Sequence, residues 1–165
     1  MANGAADQVD APPRRRLLLI FGAVALLVAL DIATKVWAVD HWSDEPLSIV
    51  GDTVEFRVGR NSGGAFGQLQ GMTPLLAIGA VIVSILLVRE ARRVHDRIKL
   101  IGYVLVLAGA LGNLVDRIFR APGFLRGHVV DFVSVGWFPV FNVADSCITI
   151  GAILLIWRSL WPPKE

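Results

Sequence analysis

Four uncharged apolar runs divide the chain, at residues 17–30, 74–88, 100–115 and 146–157. Each is shorter than the roughly 20 residues that a helix needs to cross a bilayer. Each predicted span must therefore extend into polar or charged positions. The first takes in Asp31, Thr34 and Lys35, the third Asn113, Asp116 and Arg117, and the fourth Asn142 and Asp145. Between the first two runs, Val54, Phe56 and Val58 alternate with Glu55 and Arg57. That period of two predicts a half-buried strand over 52–60. Asn61-Ser-Gly-Gly-Ala-Phe66 follows, with glycines that can turn tightly and let a ligand approach the backbone. Residues 120–139 are rich in Gly, aromatics and valine, and read as a loop folded on the membrane surface. The expected fold is membrane all-α: four transmembrane helices with a small extracytoplasmic β-strand cradle and a surface loop. One membrane domain is expected over 14–161, with an unstructured tail at 1–13 and a short tail at 162–165.

Basic residues give this layout a direction. With four spans, both termini and the loop joining spans two and three share one side. That side holds Arg14, Arg15, Arg16, Arg89, Arg92, Arg93, Arg97, Lys99, Arg158 and Lys164, ten of the sixteen Lys and Arg in the chain. The positive-inside rule assigns it to the cytoplasm. Arg14 to Arg16 before an apolar stretch also resemble the start of a cleavable signal peptide. No small-x-small site follows, and Asp31 stands where one would lie.

Depth then brings the acids together. Asp31 lies 14 residues beyond Leu17, Asp116 lies 16 beyond Leu100, and Asp145 lies 13 before Arg158. At about 1.5 Å per residue, all three sit roughly 20–24 Å from the cytoplasmic edge. In a hydrocarbon core about 30 Å thick, that is just below the outer surface. Three carboxylates at one depth on three helices point to one shared site.

Composition narrows the classes further. Of 165 residues 55% are hydrophobic and 18% charged, and the mean hydropathy of +0.61 fits a membrane protein better than a soluble domain. A net charge of +2 gives no footprint for nucleic acid. Cys147 is the only cysteine, which excludes an internal disulfide and reads as a buried thiol in a helix. His41, His95 and His128 have no metal-ligand spacing among them.

Ionisable residues inside a membrane are costly, so each is a functional candidate. The structural alternative for Asp31 and Lys35, four apart on one helix face, is an ion pair. Asn113 and Asp116 share a face at i and i+3, as do Asn142 and Asp145. Asp116 and Arg117 point in different directions, so each needs a partner elsewhere. Asp131, in Gly127-His-Val-Val-Asp-Phe132, is flanked by apolar residues, an odd setting for a solvated carboxylate. Asp131 and Asp145 bracket the return into span four, and the short link between them lets both face one cavity. Two adjacent carboxylates do not both ionise easily, so one keeps its proton and the pair can act as acid and base on a water. No Ser or Cys sits beside a His in the expected outer site. Spacing alone leaves a structural or transport role open beside this dyad.

Five segments, Asp31-Ile-Ala-Thr-Lys35, Asn61-Ser-Gly-Gly-Ala-Phe66, Gly112-Asn-Leu-Val-Asp-Arg117, Val129-Val-Asp-Phe132 and Phe141-Asn-Val-Ala-Asp145, resemble the lipoprotein signal peptidase family, also called signal peptidase II. They occur in family order, within a four-span layout that also matches, over about residues 14–160. The paired Gly63-Gly64 departs slightly from the family's usual single glycine followed by a small residue. The resemblance implies an aspartyl endopeptidase with Asp131 and Asp145 as the catalytic pair. It implies that Asn61, Gly63, Asn113, Arg117 and Asn142 bind substrate or orient the site, with Asp31, Lys35 and Asp116 in support. The implied partners are diacylglyceryl-modified prolipoproteins, cleaved just before the lipidated cysteine, with membrane lipids and globomycin-type peptide inhibitors. The implied location is the bacterial inner membrane, and no metal or cofactor is implied.

Three rivals make different demands. A small proton- or ion-coupled transporter subunit favours a polar path across the whole membrane, whereas the inner halves of these spans are nearly all apolar. A scaffold gives no reason for acids to gather at one depth. A presenilin-type protease resembles a Tyr-Asp plus Gly-x-Gly-Asp pattern, which this sequence lacks.

Overall fold

The structure is a computed structural model and describes residues 14–51, 53–63 and 71–162. The expected tail at 1–13, most of that at 162–165, and Gly64 to Phe66 of the glycine-rich motif lie outside the described residues. The four apolar runs become helices α1 (Arg14–Trp42), α2 (Thr73–Arg93), α3 (Arg97–Phe119) and α4 (Val143–Leu160). All four are long and apolar enough to cross a membrane. Leu18, Leu26, Ile82, Ile85, Ile153 and Ile156 stand exposed on their surfaces. Water penalises so much bare apolar surface, whereas hydrocarbon does not.

Local chemistry explains the helix ends. Pro74 occupies the first turn of α2, where a missing N–H costs no intrahelical bond. Asp96 caps α3 by accepting the backbone N–H groups of Ile98 and Lys99, each at 2.9 Å. Its other oxygen pairs with Arg158 of α4 at 2.6 Å, joining two helices at the basic end.

Helix α3 sits in the middle, packed against the other three. Its Leu107 and Ala108 form a buried core with Val24 of α1, flanked by Leu27, Leu87 and Val104. The approach to α4 is close because Gly109 has no side chain. A Cβ there would lie 2.3 Å from the Ala144 carbonyl oxygen. Without a hydrophobic drive between helices in lipid, such small-residue contacts supply the packing.

A four-stranded antiparallel sheet covers the helix ends remote from Asp96. Its order is β1 (Leu47–Val50), β2 (Val54–Asn61), β3 (Val129–Val135) and β4 (Phe138–Phe141). Trp42, the last residue of α1, stacks on Phe56 of β2 at 4.4 Å between ring centroids. With Ala38 and Phe132 it forms a second buried core that seats the sheet on α1.

Three boundaries differ from expectation. The second half of 120–139 is not loop but β3 and the start of β4. Val129, Val130, Asp131 and Phe132 are all buried, so no polar alternation marks the strand. Strand β1 is short and exposed at all four positions, and it too lacked alternation. Finally, α4 starts at Val143, so Asn142 is its N-cap and not part of the span.

Candidate active site

The sheet register brings the first site residues together. Asn61 at the end of β2 pairs with Val129, and Gly59 pairs with Asp131. Asn61 and Asp131 are therefore diagonal neighbours on one face of the sheet, within side-chain reach. The Asn61 amide donates to Asp131 Oδ2 at 3.0 Å. Gly63 is buried, and its backbone N–H donates to Asn61 Oδ1 at 3.0 Å, which fixes the amide's orientation.

The cap of α4 brings in the second acid. The Asn142 side chain accepts the backbone N–H of Asp145 at 2.8 Å, and Asp145 Oδ2 accepts that of Asn142 at 3.3 Å. This is a capping box with Asp in the third position. The i, i+3 spacing in the sequence thus marks a helix start, not one face of a span. The other end of the Asn142 amide donates to Asp131 Oδ1 at 2.7 Å. One asparagine therefore touches both acids.

A third amide completes the arrangement. Asn113 of α3 donates to Asp145 Oδ1 at 2.8 Å, and its own oxygen accepts Lys35 at 3.0 Å and Asn142 at 3.2 Å. All four oxygens of Asp131 and Asp145 now accept an N–H group. Burial pushes the Asp131 carboxyl up to about 7, and the charge of Asp145 adds to the rise. The amides of Asn61 and Asn142, and the more distant charge of Lys35, oppose it.

Beneath this pair lies a buried charge cluster. Lys35 is fully buried and contacts Asp31 at 2.7 Å and Asp116 at 2.9 Å. The expected i, i+4 ion pair is present and has a second acid on α3. Asp31 also accepts the backbone N–H of Ala144 at 2.8 Å, tying α1 to the start of α4. Asp116 accepts Arg120 and the backbone N–H of Val130, which holds β3 against α3. A buried charge that lost its partner here would cost several kcal/mol, roughly 3–5.

A cavity of about 580 Å³ opens beside the acids. Asn61, Asn113, Arg117 and Asp145 form its polar end, and Phe138, Phe141, Ile148 and Ile150 much of its apolar wall. Asp131 does not line it but is bonded to Asn61, which does. Arg117 is buried, and its Nη1 has no hydrogen-bond partner among the described residues. The structure thus joins every predicted residue to one network or to this cavity. Sequence reasoning missed the wall residues, because an isolated Phe138 or Ile148 looks like any apolar strand or span position. It also missed Arg120, whose only signal is its spacing of four from Asp116. Among the described residues no cluster of His, Cys, Asp and Glu could hold a metal ion.

Residues 23–161 match the family described as Signal peptidase (SPase) II. The chain belongs to the signal peptidase II family. It is 52% identical over 152 residues to the lipoprotein signal peptidase of Rhodococcus jostii, covering 89% of this chain and 77% of that one. It is 48% identical over 160 residues to that of Mycobacterium avium, covering 96% and 87%. A solved bacterial membrane enzyme superposes with a TM-score of 0.73 at 30% identity, covering 89% of this chain and 93% of that one. The chain is thus a peptidase and a multi-pass membrane protein, as the motifs and four spans implied. The transporter alternative falls, because the family is one of peptidases.

Proposed function

We propose that this chain is an aspartyl endopeptidase that removes the signal peptide from diacylglyceryl-modified prolipoproteins, cutting just before the lipidated cysteine. The observation that carries the reading is the pair of acids, Asp131 and Asp145, gripped between Asn61, Asn142 and Asn113, with Asp145, Asn61 and Asn113 lining the polar end of a largely apolar cavity. A carboxyl near 7 keeps its proton when its neighbour is ionised. The ionised acid takes a proton from water, whose oxygen attacks the scissile carbonyl. The protonated acid donates to the carbonyl oxygen, and the tetrahedral species collapses as the cysteine nitrogen gains a proton. Arg117, with an unused N–H at the cavity, binds a substrate carbonyl. The cavity's apolar wall takes acyl chain and signal-peptide side chains, each buried methylene contributing roughly 0.8 kcal/mol. Globomycin-type peptides would compete for the same space.

Both termini are assigned to the cytoplasm and the sheet with its acids to the outer face, on the basic-residue asymmetry. The test is incubation of the purified protein with matched prolipoproteins, one diacylglyceryl-modified and one not. Loss of the signal peptide from the modified form alone is expected. Equal cleavage of both would remove the lipid from the recognition, and cleavage of neither would remove the function.

A further inference from the structure

We infer that Lys35 is a positioning residue of the reaction, acting on Asp145 through the side-chain amide of Asn113. The inference rests on the reading of Asp131 and Asp145 as the reacting pair. The sequence offers only a tether role, an ion pair with Asp31 one turn away. The structure gives Lys35 a further contact, because its Nζ donates to Asn113 Oδ1 at 3.0 Å. The opposite end of that amide donates to Asp145 Oδ1 at 2.8 Å.

An amide has one accepting and two donating ends, and their order matters here. With the ammonium on its oxygen, Asn113 must turn its NH₂ toward the carboxylate. The reversed amide would set N–H groups against a cation and an oxygen against an anion. Asn142 also donates to Asn113 Oδ1, so the orientation has a neutral partner too, at a longer 3.2 Å. What Lys35 adds is charge. A full cation on the acceptor end polarises the amide and strengthens its N–H as a donor, an effect that low local dielectric enhances. Lys35 is fully exempt from solvent screening, at 0% exposure, and Asp116 is 2% exposed. The chain Lys35, Asn113, Asp145 therefore runs from a buried charge on α1 to an acid at the cavity.

Simple removal of Lys35 would strand Asp31 and Asp116, and the protein would then fail for structural reasons. The comparison is therefore between Asp31→Asn, which keeps Lys35, and Asp31→Asn/Lys35→Met, which removes Lys35 together with one of its two acids. In plain counts, the wild-type cluster and the double variant both carry one net negative charge, while Asp31→Asn is neutral. Turnover is measured per folded enzyme, with folded amount taken from inhibitor binding, and each variant is also made with Asn113→Ala. With Asn113 present, loss of Lys35 should lower kcat by about tenfold and change KM by less than about twofold. With Asn113→Ala, loss of Lys35 should cause no further fall in kcat, because its route to Asp145 is gone. An unchanged kcat with Asn113 present would overturn the inference and leave Lys35 a tether. So would an equal fall in both backgrounds. If Lys35→Met proved too unstable to assay, Lys35→Gln in the same Asp31→Asn background, which keeps a donor without charge, gives the same contrast. Failure of the underlying dyad is read separately, as turnover by Asp145→Asn.

Discussion

The side-chain amide of Asn142 donates to Oδ1 of Asp131 at 2.7 Å while its oxygen caps α4 through Asp145. One residue thus sets the spacing between a strand acid and a helix acid. Asn142→Ala should lose both the cap and the Asp131 contact, lowering stability by about 2 kcal/mol. Asn142→Asp keeps a good capping group but sets a third carboxylate beside the pair. It should fold nearly as well as the wild type and still lose most turnover. Thermal unfolding in detergent and turnover per folded enzyme separate the two effects.

Asp131→Asn and Asp145→Asn preserve shape and remove the ionisable site, at the cost of one accepted N–H at each position. Either change alone should lower turnover by roughly 10³-fold or more, and the double variant should be little worse, because groups acting as a unit are non-additive. Asp31→Asn should differ, giving a less stable protein with partial activity in what folds. Asp116→Asn should be intermediate. Substantial turnover by well-folded Asp131→Asn or Asp145→Asn would remove the dyad.

The raised Asp131 carboxyl has a signature in pH. The unfolded group loses its proton near 3.8 and the native group near 7. Its contribution to stability is thus full below 3.8, declines as pH rises through the interval, and is lost above about 7. Asp131→Asn should flatten that decline in melting temperature measured from pH 4 to pH 8. Turnover should fall on the alkaline side near 7, as the pair gives up its shared proton.

Gly112 lies where α3 meets the buried charge cluster. A Cβ there would sit 2.6 Å from Asp31 Oδ2, which Lys35 already holds at 2.7 Å. Gly112→Ala should therefore cost about 1–3 kcal/mol by overpacking. At Gly22 of α1 a Cβ would meet nothing within 4 Å, so Gly22→Ala should leave the unfolding temperature unchanged or slightly higher.

Orientation is open to chemical labelling. A cysteine at Ser62, just past β2, should react with a membrane-impermeant maleimide in intact cells, in a Cys147→Ala background. Reaction only after the inner face is opened would reverse the topology and detach the acids from a lipid-anchored substrate.

Four helices could be read from the sequence because a bilayer imposes one simple demand, about 20 apolar residues per span. The depth of Asp31, Asp116 and Asp145 followed from a fixed rise per residue, and β2 from its alternation. Asp131 stood out because a carboxylate among valines and phenylalanine has no ordinary explanation. Tertiary structure alone decided how these residues meet. Strand β3 was hidden because both of its faces are buried, which erases the pattern that marks a half-exposed strand. The role of Asn142 was hidden because i and i+3 describe both a helix face and a capping box. The link from Lys35 to Asn113 joins residues 78 apart in the chain. Periodicity reports which way a side chain faces within its own element. Which amide meets which carboxylate depends on the packing of α1, α3, α4 and the sheet, and no local pattern encodes that.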